Sequence, residues 1–150
     1  MNNTLYLAYG SNLNLEQMSR RCPTARVVGA TTLKDYHLVF RGQNGGAVAT
    51  VEPLEGDEVP CLLWEIMPSD EMALDRYEGY PFLYRKETVN ILLEGENVEA
   101  MVYIMNDGRA LNKPSCYYYS VILEGYKAAG FDVKVLKKAV TDSVEVGYGQ

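Results

Sequence analysis

The sequence predicts an α+β fold: a small, mixed, barrel-like sheet of about seven strands with helices at its periphery. Three observations lead there. About seven stretches read as strands and only a few as helices, and the two kinds do not alternate as strand–helix–strand units, which argues against a doubly wound parallel sheet. The helices carry clear start and stop signals that set them apart from the strands. At 150 residues the chain suits one domain, residues 1–150, able to bury about 68–70% of its unfolded surface.

The first stretch, Leu5-Tyr6-Leu7-Ala8-Tyr9, alternates as a strand and runs directly into Gly10-Ser11-Asn12. Helical spacing follows. Asn14 is placed as an N-cap, Gln17 stands where a capping box wants Glu or Gln, and Leu13 and Met18 are spaced as a hydrophobic staple. Pro23 ends that helix, because proline disfavours helix in the residue before it. Residues 25–33 and 36–41 read as strands joined by a hairpin turn at Lys34-Asp35, and the polar, glycine-rich segment 42–46 leads to a strand over 47–51. Pro53 to Glu58 reads as an acidic turn. Residues 59–67 are an apolar run around Trp64, a central strand buried on both faces.

Ser69 is the expected N-cap of the next helix, with Asp70 and Glu71 in its first turn and Gly79 as its left-handed stop. Strands over 84–93 and 98–105 follow, joined by Glu94-Gly95-Glu96-Asn97. Pro114-Ser115 opens a helix that ends at Gly130. Asp132 caps a last short helix over 133–140, and the tail 141–150 has little to hold it, so it is expected to be mobile.

Composition narrows the function. Net charge is −6, and no cluster of Lys or Arg is longer than a pair, which argues against nucleic acid and anionic membrane as partners. Cys22, Cys61 and Cys116 are odd in number and scattered, so neither a disulfide framework nor a zinc site is indicated. The start lacks a signal-peptide pattern and no apolar run approaches the ~20 residues of a membrane span, which makes the cytoplasm the default location. His37, the single histidine, sits mid-strand, and nothing singles it out for a Ser-His-Asp, Cys-His or metal site. Glu65 belongs on a solvent-facing strand edge.

Two positions carry candidate chemistry. The Gly10–Asn12 turn lies between a strand end and a helix start, where free amides and the helix dipole favour an anion; an ordinary capped strand–turn–helix is the plain alternative. Glu78 falls at a helix end, against the negative pole of the dipole, a placement unfavourable by roughly 0.3–1 kcal/mol. It is either a solvated surface glutamate or a carboxylate tuned upward for proton transfer near neutral pH. Twelve tyrosines against three phenylalanines further suggest hydroxyls around a polar cavity, and of Tyr117-Tyr118-Tyr119 at least one ring faces the core and at least one is free to face a pocket.

Ala8-Tyr9-Gly10-Ser11-Asn12-Leu13 resembles the signature of the γ-glutamylcyclotransferase (AIG2-like) family, and further segments follow in the family's order. Leu74-Asp75-Arg76-Tyr77-Glu78-Gly79 resembles the segment holding its catalytic glutamate. Gly45 to Val51 resembles its glycine-plus-Ala-Thr strand. Gly56-Asp57-Glu58-Val59 with Trp64, and Pro114-Ser115-Cys116-Tyr117-Tyr118 with Gly125, resemble two more segments. The resemblance covers roughly residues 4 to 130. Cys116 departs from a second Pro in many members, and Tyr126 from the usual Ala.

The resemblance implies a small closed β-barrel with flanking helices and an enzyme that cyclises the γ-glutamyl group of a γ-glutamyl amino acid or amine to 5-oxoproline, releasing the amine. It implies Glu78 as the catalytic residue, substrate binding by Tyr9, Gly10, Ser11 and Asn12, and pocket roles for Tyr84 and Tyr118. No metal or cofactor is called for, because the substrate's own amine is the nucleophile. The implied partner is a small γ-glutamyl substrate, with a homodimer left open. Glutathione-specific relatives read Leu where this chain has Asn12, which makes intact glutathione the less favoured substrate. A non-catalytic, small-anion-binding relative of the same fold and an acidic interaction protein are the alternatives.

Overall fold

The structure, a computed structural model, describes residues 4–148, with side chains for residues 4–144. Its centre is β1 (Thr4–Ala8), in which Tyr6, Leu7 and Ala8 are all buried although successive side chains point to opposite faces. The sheet has five strands in the order β2-β3-β1-β5-β4, with β2 (Arg26–Arg41), β3 (Val48–Ile66), β4 (Tyr84–Leu93) and β5 (Glu96–Met105). β1 runs antiparallel to β3, Thr4 opposite Ile66 through Ala8 opposite Leu62, and parallel to β5, Tyr6 opposite Met101, so the sheet is mixed. Four helices flank it: α1 (Leu15–Arg21), α2 (Pro68–Glu78), α3 (Cys116–Ala129) and α4 (Val133–Tyr148).

Five strands replace the expected seven, because two predicted turns do not reverse the chain. At Lys34-Asp35 the strand continues: Lys34 pairs with Glu58 and Tyr36 with Pro53, and residues 54–57 bulge out of β3. Asp35 takes a left-handed backbone (φ 64°) and its carboxylate accepts the Gly56 amide at 3.0 Å. Local turn chemistry thus makes an irregularity inside one long hairpin, since cross-strand pairing continues on both sides of it. Nor does the sheet close into a barrel. The Thr31 hydroxyl donates to the Leu92 carbonyl at 2.6 Å, bringing β2 and β4 together, but no backbone ladder joins these edges among the described residues.

Helix ends follow the sequence with two exceptions. Asn14 caps α1 by accepting the Gln17 amide at 3.0 Å, Ser115 caps α3 through the Tyr118 amide at 3.1 Å, and Gly79 ends α2 at φ 68°. The cap of α2, however, is Met67 and not Ser69. Pro68 is preorganised for the first helical position, and the Asp70 carboxylate accepts the Met67 amide at 2.9 Å. The last helix runs on to Tyr148 instead of stopping at Val140, which places most of the supposedly mobile tail in α4; residues 149–150 lie outside the described residues. Ser143 explains part of this: it is buried and its hydroxyl accepts the Phe40 amide at 3.0 Å, tying the helix to β2. The β4–β5 connection is also tighter than expected, a two-residue turn at Glu94-Gly95 with both φ positive.

One close contact positions the site. α3 crosses the Gly10–Asn14 segment at Gly125, where a Cβ would lie 2.8 Å from Leu13 and 2.9 Å from the Asn14 amide nitrogen. Only glycine fits there. Asn14 completes the contact by donating to the Val121 carbonyl at 3.0 Å and to Glu124 at 2.9 Å. Among the described residues no helix is long and apolar enough to cross a membrane.

Candidate active site

Beyond β1 the chain turns sharply. Ser11–Leu13 form a single 3-10 turn, in which the Leu13 and Asn14 amides donate to the Gly10 and Ser11 carbonyls at 3.0 Å each. The amides of Gly10, Ser11 and Asn12 are left unused by the turn itself. Beside it lies a cavity of about 240 Å³. Tyr6 and Tyr9 enter from β1 and its end, Gly10 to Asn12 from the turn, and Val48 and Ala49 from β3. Tyr77 and Glu78 come from α2, Leu83 and Tyr84 from the start of β4, Tyr103 from β5 and Tyr118 from α3.

The expected site residues therefore meet. Tyr9, Gly10, Ser11, Asn12, Glu78, Tyr84 and Tyr118 all line this one cavity, although they span more than a hundred positions of sequence. Tyr118 and Tyr119 are both half-buried and pack against the core, Tyr118 also bordering the cavity, whereas Tyr117 is exposed. Both pocket tyrosines of the resemblance hold the backbone of one residue of β3: the Tyr84 hydroxyl donates to the Ala49 carbonyl at 2.5 Å, and the Tyr118 hydroxyl accepts the Ala49 amide at 3.1 Å. A Cβ at Gly10 would sit 3.4 Å from the Ala49 Cβ and 3.7 Å from the Tyr118 hydroxyl, so any larger side chain there would occupy the cavity.

Residues that the sequence did not assign to the site complete the walls: Tyr6, Val48, Ala49, Tyr77, Leu83 and Tyr103. The excess of tyrosine was the available signal, for six of the twelve tyrosines line this cavity. Most of their hydroxyls are engaged. Tyr9 donates to the Tyr103 carbonyl at 2.7 Å, Tyr6 accepts from Asn12 Nδ2 at 2.8 Å, and Ser11 Oγ and the Tyr77 hydroxyl share a bond of 2.7 Å. Burial pushes the phenols of Tyr6, Tyr9, Tyr84, Tyr103 and Tyr118 upward, so they stay neutral at physiological pH.

Glu78 differs from its surroundings. It is the last residue of α2, only partly accessible, and no hydrogen bond to its carboxylate is found among the described residues. Burial raises its pKa to about 7, opposed by the positive charge of Arg21. A carboxylate in this state exchanges a proton readily at neutral pH. His37 lies elsewhere, near Asp57, Lys138 and Asp142. Glu65 is not on a strand edge as expected: it stands inside the sheet on β3, opposite Leu5 of β1 and Arg26 of β2, half-buried, and its carboxylate pairs with the Arg26 guanidinium. No group of three His, Cys, Asp or Glu side chains is arranged to hold a metal ion among the described residues.

The model of the family described as "Gamma-glutamyl cyclotransferase, AIG2-like" matches residues 6–121. The chain belongs to this family. The matched span contains every residue of the cavity wall, from Tyr6 to Tyr118, and leaves out α4. Bovine gamma-glutamylcyclotransferase is 32% identical over 143 residues, and the human protein of that name is 31% identical over 143 residues. In both cases 89% of this chain and 76% of the relative are covered. A solved gamma-glutamyl cyclotransferase structure superposes with a TM-score of 0.79 at 28% identity, covering 92% of this chain and 86% of its own. Its mixed fold of sheet and flanking helices is the one described above.

Proposed function

We propose that the chain converts a small γ-glutamyl compound into 5-oxoproline and a free amine, with Glu78 as the general base and then the general acid. It is a γ-glutamylcyclotransferase-like enzyme, as its family and its curated relatives support. The observation that carries the assignment of roles is the unpaired carboxylate of Glu78 on a cavity that also contains the Gly10–Asn12 amides.

In this reading the substrate's α-ammonium gives a proton to Glu78. The freed α-nitrogen attacks the γ-carbonyl carbon, forming the ring C–N bond. The tetrahedral oxyanion then collapses, breaking the γ-amide C–N bond. Two protons leave the α-nitrogen in all, and two arrive on the departing nitrogen as it becomes an ammonium; Glu78 passes each in turn. Because nucleophile and electrophile belong to one molecule, most of the acceleration comes from folding the substrate into attack geometry. The cavity, with its engaged tyrosines, is suited to that. The amides of Gly10, Ser11 and Asn12 would hold the α-carboxylate or the oxyanion, and Tyr84 and Tyr118 keep Ala49 and the opposite wall in place.

The deciding experiment is a direct measurement of 5-oxoproline from γ-glutamyl amino acids, γ-glutamyl amines and glutathione. Product is expected from the first two classes and little from glutathione. No product from any of them, with small carboxylates still bound, would overturn catalysis in favour of an anion-binding relative. A companion variant, Gly10→Val, is expected to stay folded and to raise KM roughly tenfold or more, since crowding of this kind costs about 1–3 kcal/mol. Wild-type activity in that variant would make the turn purely structural.

A further inference from the structure

Both walls of the cavity converge on a side chain that is not itself in the cavity. Arg21 is the last residue of α1 and is partly buried. Its Nη1 donates to Asn12 Oδ1, and its Nη2 donates to Gln17 Oε1 at 3.1 Å. The guanidinium lies over the Tyr77 ring, 3.5 Å from the centroid. Asn12, held on one side by Arg21, donates on the other to the Tyr6 hydroxyl, and Tyr77, held beneath the guanidinium, is bonded to Ser11. One planar cation thus joins α1, the Gly10–Asn12 turn and the end of α2. Such a bridge uses the rigid fork and flat face that arginine has and lysine lacks.

We propose that Arg21 is a positioning residue, which locks the substrate-binding turn to the helix end that carries Glu78. The proposal rests on the reading of Glu78 as the proton-transfer group. Tyr77 immediately precedes Glu78, so a shift of its ring would turn the helix end, and Asn12 would lose the partner that fixes its amide. Misplacement of about 1 Å at a reacting group can lower a rate by roughly a hundredfold.

The positive charge of Arg21 also acts on Glu78, although no ion pair joins the two side chains among the described residues. The other titratable groups that act with it are the phenols of Tyr6 and Tyr9 from β1 and its end, Tyr84 from β4 and Tyr118 from α3, all driven upward by burial and therefore neutral. The Arg21 charge opposes the burial that lifts Glu78. A role in packing alone would not make the Glu78 titration depend on it. Arg20, its neighbour, makes an exposed pair with Glu16 and serves as the control.

The test measures kcat/KM against pH for wild type, Arg21→Met, Arg21→Lys and Arg20→Met. Alongside it, the Glu78 carboxyl is titrated by carbon-13 NMR, which needs no substrate. Arg21→Met is expected to lower kcat roughly tenfold to a hundredfold and to move both the acid limb and the NMR midpoint upward from about 7. Arg21→Lys keeps the charge without the bridge, so its kcat should fall while the midpoint stays; Arg20→Met should change neither. If Arg21→Met does not fold, Arg21→Lys decides: wild-type kcat in that variant overturns the proposal. An unmoved NMR midpoint in a folded Arg21→Met also overturns it. A wild-type protein that makes no 5-oxoproline would instead fail the functional reading, and the NMR midpoint would still report on the influence of the Arg21 charge on Glu78.

Discussion

Asp75 and Glu78 stand three residues apart on α2, close enough to be neighbours on the helix surface, yet they sit in opposite states. Asp75 is tied down. It accepts the Tyr103 hydroxyl at 2.6 Å and pairs with Lys86 at 3.0 Å, and Lys86 also reaches Glu71 at 2.6 Å, so the carboxylate fastens α2 to β4 and β5. Glu78 has no such partner among the described residues, borders the cavity and is raised to about 7. The difference teaches that the helix supplies position only. What each carboxylate can do is set by groups that other strands bring to it: neutralised and bonded, Asp75 is a structural tie; buried and without a bonded partner among the described residues, Glu78 is the group we propose carries the proton.

The largest way to break the comparison is Glu78→Gln. It keeps the size of the side chain but cannot take up the ammonium proton, and turnover should fall by roughly 10²–10⁴. The loss should appear in kcat more than in KM. Wild-type turnover in a folded Glu78→Gln would remove Glu78 as the base.

Stability should move the other way. The folded pKa of Glu78, about 7, exceeds its ordinary value of 4.5, so the folded state holds the proton more tightly than the unfolded chain. Below pH 4.5 the residue therefore makes no difference; its destabilising effect grows between pH 4.5 and 7 and is complete above 7. The shift sets an upper bound of about 3 kcal/mol, lessened by water in the cavity. Urea unfolding should find Glu78→Gln more stable than wild type above pH 7 and equal to it near pH 4. Equal stability at both pH values would mean that Glu78 is solvated like any surface glutamate.

Asp75→Ala should reverse this pattern, with stability falling by about 1–3 kcal/mol because the Tyr103 hydroxyl and Lys86 lose a partner. Activity should fall about tenfold through displacement of α2, well short of the loss in Glu78→Gln. A folded Asp75→Ala with no turnover would make Asp75 the proton carrier. The smallest effect is expected for Asp75→Asn, which keeps an acceptor for Tyr103 and loses only charge pairing with Lys86. Chemical denaturation should register a change of about 1 kcal/mol or less, with activity near wild type.

The sequence by itself determined the features that depend on neighbours along the chain. The Asn14 and Ser115 caps, the left-handed stops at Gly79 and Gly130, and the strands at 84–93 and near 98–105 are all set within a few residues, so local chemistry suffices to read them. The family motifs also singled out Glu78 and the Gly10 turn, and those positions meet at one cavity. What the sequence could not decide was whatever pairing across the sheet decides. Lys34-Asp35 and Pro53–Glu58 are good turn sequences, and only the long β2–β3 ladder absorbs them into one hairpin. Ser143 looks like a tail residue until Phe40 offers its amide. Tyr6, Tyr77 and Tyr103 carry no local mark that separates a cavity tyrosine from Tyr126, which is buried against Phe131. Even the contrast between Asp75 and Glu78 is absent from Leu74-Asp75-Arg76-Tyr77-Glu78-Gly79, because Tyr103 and Lys86 are brought to one carboxylate and not to the other by the packing of α2 on β4 and β5. Ionisation and contact energies depend on distance in space, and a sequence orders its residues only along the chain.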